Sequence, residues 1–125
     1  RQRQMCIRDR ICAEYGCKKV ASVVRNISCV ERSIWMGMLY DAESGEHWFS
    51  PAHDVHVLEG VAAGDAFNAG LVHALINGFD PQDAVNYAIA ASILKLTIKG
   101  DSNLVTADEI AAVANAADGG TRVAR

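Results

Sequence analysis

The spacing of apolar positions along the chain changes period near residue 60. Before it, apolar residues fall in short β-branched or alternating runs; beyond it, they recur at helical spacing. Residues 19–25 (KVASVVR) follow a turn-like Cys-Gly stretch and predict a strand, and 33–40 (SIWMGMLY) predict a second. The polar stretch 41–46 (DAESGE) turns the chain back into His47, Trp48 and Phe49, which makes a hairpin. Residues 54–58 (DVHVL) alternate and predict a fourth strand.

Three helices follow. The first is expected over 62–77, with Gly78 as its left-handed stop. Asp80-Pro81 opens the second, with Asp80 as N-cap, Pro81 at the first helical position and Asp83 in the first turn. That helix runs to about Leu96 and is apolar nearly all round, so it must be covered on more than one side. Lys99-Gly100-Asp101 predicts a loop. Thr106 and Glu109 form a capping box that starts the third helix, with Ile110, Val113 and Ala114 facing inward. Strands first and helices afterwards is unusual for a self-contained α/β domain. Three helices supply too little cover for this sheet and the second helix, so apolar surface is expected to stay exposed on that helix. The pattern is that of the C-terminal part of something larger.

Half of the 125 residues are hydrophobic and 22% are charged, which excludes disordered and collagen-like classes. No apolar run approaches the ~18–20 residues of a membrane span, and a net charge of −3 argues against nucleic acid as the main partner. The charge is uneven: Arg1, Arg3, Arg8 and Arg10 outweigh Asp9, so the remainder is more acidic than the whole. This head lacks the apolar region of a targeting signal. Its run Met5-Cys6-Ile7-Arg8-Asp9-Arg10 resembles the translation of a sequencing adapter, and residues 1–10 are set aside as a non-native head. The domain is then expected over 11–117, with 118–125 as a disordered tail. Four cysteines at irregular spacing suggest reduced, cytoplasmic thiols rather than a disulfide framework. No metal site is expected. His53 and His56 would point to opposite faces of a strand, and no further ligands follow at zinc spacing.

The chemistry concentrates at Gly60-Val61-Ala62-Ala63-Gly64-Asp65-Ala66-Phe67. Small residues at a strand-to-helix junction let backbone amides approach a ligand, and the new helix adds its positive end. Such a place suits a phosphate or a developing phosphoryl charge. Asp65 has two readings: a first-turn residue that complements the helix dipole, or a carboxylate that accepts a proton from an attacking hydroxyl. No P-loop motif is present.

The run Val61-Ala62-Ala63-Gly64-Asp65-Ala66-Phe67-Asn68-Ala69-Gly70 resembles the C-terminal signature of the ribokinase-like (PfkB-type) carbohydrate kinases. Upstream, Trp35-Met36-Gly37-Met38-Leu39-Tyr40-Asp41, His47-Trp48-Phe49-Ser50 and Asp54-Val55-His56-Val57 are similar to the hairpin and strand that precede it. Downstream, residues 90–103 (AASILKLTIKGDSN) resemble the segment found in 2-keto-3-deoxygluconate kinases. The resemblance implies an α/β fold, the C-terminal part of a three-layer α/β/α architecture. It implies ATP and Mg²⁺ as cofactors, a sugar or sugar acid as substrate, and a homo-oligomer as one state open to the full-length parent. It places Asp65 on the catalytic base, Ala62, Ala63 and Gly64 on the anion hole for the γ-phosphoryl, and Asp101 on a substrate contact. Arg25, Gly37, Ala88 and Ala91 become nucleotide-binding candidates, while Lys95 and Lys99 are expected in solvent.

This sequence departs from the family pattern in three places. Ala62 replaces the first loop glycine, Glu59 the leading Asp, and Gly60 the usual Arg or Thr beside it. An Ala at positive φ carries about 1–2 kcal/mol of strain, yet keeps the backbone amide that such a loop uses. Two functions therefore stand: a kinase acting on the terminal hydroxyl of ketodeoxygluconate, or a degenerate, non-catalytic binding module.

Overall fold

The computed structural model describes residues 2–29 and 32–116. The expected tail over 118–125 lies outside the described residues. Strands β1 (Lys19–Cys29) and β2 (Arg32–Asp41) form a long antiparallel hairpin whose open end is tied by an ion pair between Lys19 and Asp41 at 3.3 Å. Strands β3 (His47–Phe49) and β4 (His53–His56) both pair antiparallel with the other edge of β2, β3 at Met38, Leu39 and Tyr40 and β4 at its opposite end. They act as one edge strand broken at Pro51, whose ring nitrogen has no proton to donate to a ladder. Ser50 repairs the break. Its amide donates to the Gly37 carbonyl at 3.0 Å, and its Oγ accepts the Gly37 amide at 2.8 Å. The sheet is thus four-stranded and antiparallel with β2 in the middle, each strand within a few residues of its expected limits.

One sheet face carries Trp35, Leu39 and Val55 into the main core. Helices α2 (Ala63–Ile76), α3 (Pro81–Lys95) and α4 (Ala107–Asn115) cover it in the expected order. Gly78 ends α2 at φ +74°, and the Thr106–Glu109 capping box forms with both reciprocal bonds. Asp80 sits at the N-cap of α3, but its side chain makes no cap hydrogen bond. Pro81, at the first helical position, has no amide to leave unsatisfied there.

The expected exposed apolar surface on the second helix is not found. On α3, Ala84, Val85, Tyr87 and every position from Ala88 to Lys95 are buried. The cover comes from close approach. A Cβ added at Gly37 would lie 3.0 Å from Phe67 Cε2 and 3.1 Å from Val85 Cγ2, so α2 and α3 sit directly on β2 there. A Cβ at Gly70 would lie 3.0 Å from Ala91 Cβ and 3.2 Å from Ala88 Cα, so the axes of α2 and α3 come close. Ile110 of α4 closes a further side. The uncovered apolar surface falls on α2 instead, where Val72 is 54% exposed and Ile76 78%.

A helix not expected from the sequence, α1 (Gln2–Tyr15), lies over the opposite sheet face and crosses the boundary drawn at residue 10. It runs through mostly helix-compatible residues with no clear apolar stripe. Arg8 donates to Ser22 Oγ on β1, and the Tyr40 hydroxyl of β2 bonds to Asp9. Arg8 is buried here with Nε and Nη1 unpartnered, and loss of solvent lowers its pKa. Among the described residues, no helix is long and apolar enough to cross a membrane.

Two consequences for stability follow from local strain and burial. Ala62, at φ 61°, has a left-handed backbone in which Cβ crowds the following carbonyl. Ala62→Gly should therefore raise the unfolding free energy by about 0.5–1 kcal/mol, with the unfolded-state entropy of glycine offsetting part of the relief; denaturant titration of the two proteins measures it. His53 on β4 is buried with Nδ1 unpartnered, and desolvation holds its pKa below the usual 6.5. The unfolded chain takes up that proton first, so stability should be level above about pH 6.5 and fall as pH drops below it. Replacement of His53 by Gln should flatten that slope in unfolding curves taken at stepped pH.

Candidate functional site

The chain leaves β4, runs through Leu58 and Glu59, and enters α2 at Ala63. Both Leu58 and Glu59 amides donate to the Leu96 carbonyl, at 2.9 and 3.2 Å, which docks this segment on the end of α3. Ala62 then turns the chain at φ 61°, ψ 11°, and is the one non-glycine residue at positive φ among the described residues. Its carbonyl accepts the Ala66 amide at 2.9 Å, the first helical bond of α2. Ala62 has no side-chain oxygen, and the N-terminus of α2 carries no side-chain cap. The amides of Ala63, Gly64 and Asp65 are thus left without an acceptor by helix geometry, and they sum with the dipole into an anion-attracting end.

Within that end, Ala63 is buried and Gly64 and Asp65 are exposed. A Cβ at Gly64 would meet nothing within 4 Å, so the chain is open to solvent on that side. The loop is held from behind. Ser92 of α3, wholly buried, donates from Oγ to the Ala63 carbonyl at 2.9 Å.

Asp101 lies exposed, one residue beyond Gly100, which turns the chain at φ +86°. Lys95 is not in solvent as expected. It is fully buried, and its Nζ donates to the carbonyls of Ile98 at 3.2 Å and Gly100 at 2.5 Å. Burial follows from register, because the α3 surface at this turn is enclosed on every side and only the turn's own carbonyls remain within reach of the ammonium. Lys99 is exposed. Glu59 Oε2 accepts the Gly100 amide at 2.8 Å, joining the segment before the 62–64 loop to the residue before Asp101.

The nucleotide candidates are scattered. Arg25 is exposed on β1 with its guanidinium 5.9 Å from the Trp35 ring centroid. Gly37 and Ala88 are enclosed in the helix–sheet and helix–helix contacts and present no surface to a ligand. Ala91 borders a cavity of about 220 Å³ shared with Ala66, Ala69, His73 and Asn103. His53 is buried and His56 exposed, on opposite sides of β4. Among the described residues, no group of three or more His, Cys, Asp or Glu could hold a metal ion.

Ser92 and the buried role of Lys95 escape sequence reasoning. Their one signal is a pair of polar residues three apart in an otherwise apolar helix, a pattern equally suited to a solvated stripe.

Comparison with known proteins agrees with this geometry. The family model for pfkB family carbohydrate kinases matches residues 36–108. The fold is similar to that of 2-dehydro-3-deoxygluconokinase from Thermotoga maritima, with a TM-score of 0.85 and 31% identity over 91% of this chain and 34% of that one. It is also similar to a PfkB family carbohydrate kinase from Listeria grayi, with a TM-score of 0.79 and 26% identity over 84% of this chain and 33% of that one. A 2-dehydro-3-deoxygalactonokinase from Haloferax volcanii is 32% identical over 76 residues, 61% of this chain and 24% of that protein. The chain thus spans about a third or less of these relatives. A sheet backed by α2 and α3, an uncapped amide loop ahead of Asp65 and a match over more than half of its length agree: the chain belongs to the pfkB family of carbohydrate kinases.

Proposed function

We propose that this chain is the phosphoryl-transfer part of an ATP-dependent sugar kinase that acts on a primary hydroxyl, with 2-keto-3-deoxygluconate as the substrate. The observation that carries this reading is the conformation of Ala62. It takes the left-handed turn at φ 61° despite its Cβ, so the amides of Ala63 and Gly64 open α2 as an uncapped anion site. The loop survives the loss of its glycine in geometry as well as in chemistry, because its donors are backbone groups. Asp65 stands one residue on, exposed, where a carboxylate can receive the proton of a hydroxyl attacking a phosphoryl group held on those amides. The sugar-acid class rests on Asp101 beside Gly100 and on the two relatives that act on ketodeoxy sugar acids.

The donor set fits a nucleotide's terminal phosphate: neutral amides at a positive helix end, with open space over Gly64. Mg²⁺, carried on the triphosphate, supplies charge neutralisation there. The chain's own contributions are the amides of Ala63 and Gly64, the proton acceptor Asp65, and Ser92, which keeps the Ala63 peptide from rotating. The second reading, a kinase-like module that binds without turnover, is favoured by the same residue: strain of about 1–2 kcal/mol at Ala62 weakens the loop.

The test uses the protein expressed from its complete reading frame. ADP release with ketodeoxygluconate is expected from the wild type, and Asp65→Asn should lower kcat by roughly 10²–10⁴-fold with little change in ATP binding. Equal rates in the two proteins would remove Asp65 from the base role. Binding of ATP and sugar acid without any ADP release would establish the non-catalytic module.

A further inference from the structure

Lys95 is the one charged side chain among the described residues with no solvent exposure. An ammonium taken out of water costs several kcal/mol unless its hydrogen bonds are replaced. Its surroundings on α3 are apolar, with Ile93, Leu94 and Leu96 all buried beside it, so a methionine of similar length would suit packing at least as well. The charge therefore answers to something other than the core. It is also no ordinary helix C-cap. Such a lysine reaches the last carbonyls of its own helix, whereas Lys95 bonds Ile98 and Gly100, which lie beyond α3.

These two carbonyls belong to the turn that delivers Asp101. The Gly100 residue is gripped from both sides: its carbonyl accepts from the Lys95 ammonium, and its amide donates to the Glu59 carboxylate. Opposite charges thus hold opposite ends of one residue, and the bonds are charge-assisted, hence roughly twice as strong as neutral ones. Glu59 is itself docked through its backbone amide on Leu96, the residue after Lys95. A closed loop of contacts runs from Lys95 through Gly100 and Glu59 to Leu96 and back. Residues 62–64 leave one corner of this clasp and Asp101 leaves another.

We infer that Lys95 is a positioning residue: an internal cation that clasps the 96–100 turn to Glu59 and so fixes Asp101 relative to the anion loop ahead of Asp65. The inference rests on the kinase reading for its consequence in turnover, though the clasp itself does not. A sugar acid held at Asp101 must present its hydroxyl to Asp65 and to the phosphoryl group at once. A misplacement of about 1 Å in such a site costs on the order of a hundredfold.

The clasp is tested without activity by hydrogen exchange. Lys95→Met should stay folded and should exchange the Gly100 amide at least about tenfold faster than wild type, with mid-helix amides of α2 unchanged. Unchanged protection at Gly100 would overturn the inference. Should Lys95→Met fail to fold, Lys95→Arg and Glu59→Ala decide the point: Arg should retain Gly100 protection, and Ala, which leaves the Gly100 amide without an acceptor, should lose it while α3 stays protected. Protection lost in neither variant would also overturn it. In the complete protein, Lys95→Met should lower kcat/KM for the sugar acid by about a hundredfold with KM for ATP within about twofold. An unchanged kcat/KM for the sugar acid, or an equal weakening of ATP and sugar acid, would mean a purely structural lysine and would overturn the positioning role. A wild-type protein that releases no ADP would instead count against the proposed kinase function, while the exchange result still decides the clasp.

Discussion

The main core of this molecule is arranged around a helix that has almost no outer face beyond its first turn. With Ala84, Val85, Tyr87 and the run from Ala88 to Lys95 all buried, α3 must be enclosed by whatever the chain can bring against it. A short chain has few elements to spend on this, so each must come very close. Gly37 lets α2 and α3 sit directly on the central strand, and Gly70 lets α2 lie against Ala88 and Ala91. At both contacts a single methyl group would lie near 3.0 Å from its neighbours, so the enclosure has no slack. That tightness is what turns α3 into a fixed frame.

The frame holds the loops because its polar residues point at backbone. Ser92 holds the Ala63 carbonyl and Lys95 holds the carbonyls of Ile98 and Gly100. Two separate loops, one leading to Asp65 and the other to Asp101, are thereby attached to the same rigid rod at positions three residues apart. A buried hydroxyl and a buried ammonium are costly without partners, and irregular loop backbone has unpaired carbonyls to offer. Each need satisfies the other. The strained Ala62 belongs to the same logic, since a left-handed alanine persists only where its surroundings over-determine it.

Much of this was legible in the residues. The change in apolar period near residue 60, the polar turn after β2, Gly78 and the Thr106–Glu109 box place the strands and helices after residue 18 to within a few positions, because each signal is local. The 62–65 loop was legible for the same reason: small residues followed by an acid at a helix start are a backbone pattern. Three things were not. The cover of α3 depends on distances between helices, which small residues permit but do not announce. Helix α1 carries no apolar stripe that would mark a buried side. Lys95 reads as solvated because its burial depends on a turn that begins only after the helix has ended.

The sequence by itself determined the elements after residue 18, strands before helices, and the small-residue loop that leads to Asp65, since periodicity, caps and turn residues act over a few positions of chain. Only the tertiary structure decided that Ala88 and Ala91 are packing surfaces, that Ser92 and Lys95 serve the loops, and that Glu59 reaches Gly100 across 41 positions. The physical reason is one of range. Backbone conformation answers to neighbours within a turn or two, whereas the burial of a charge answers to every element that closes around it.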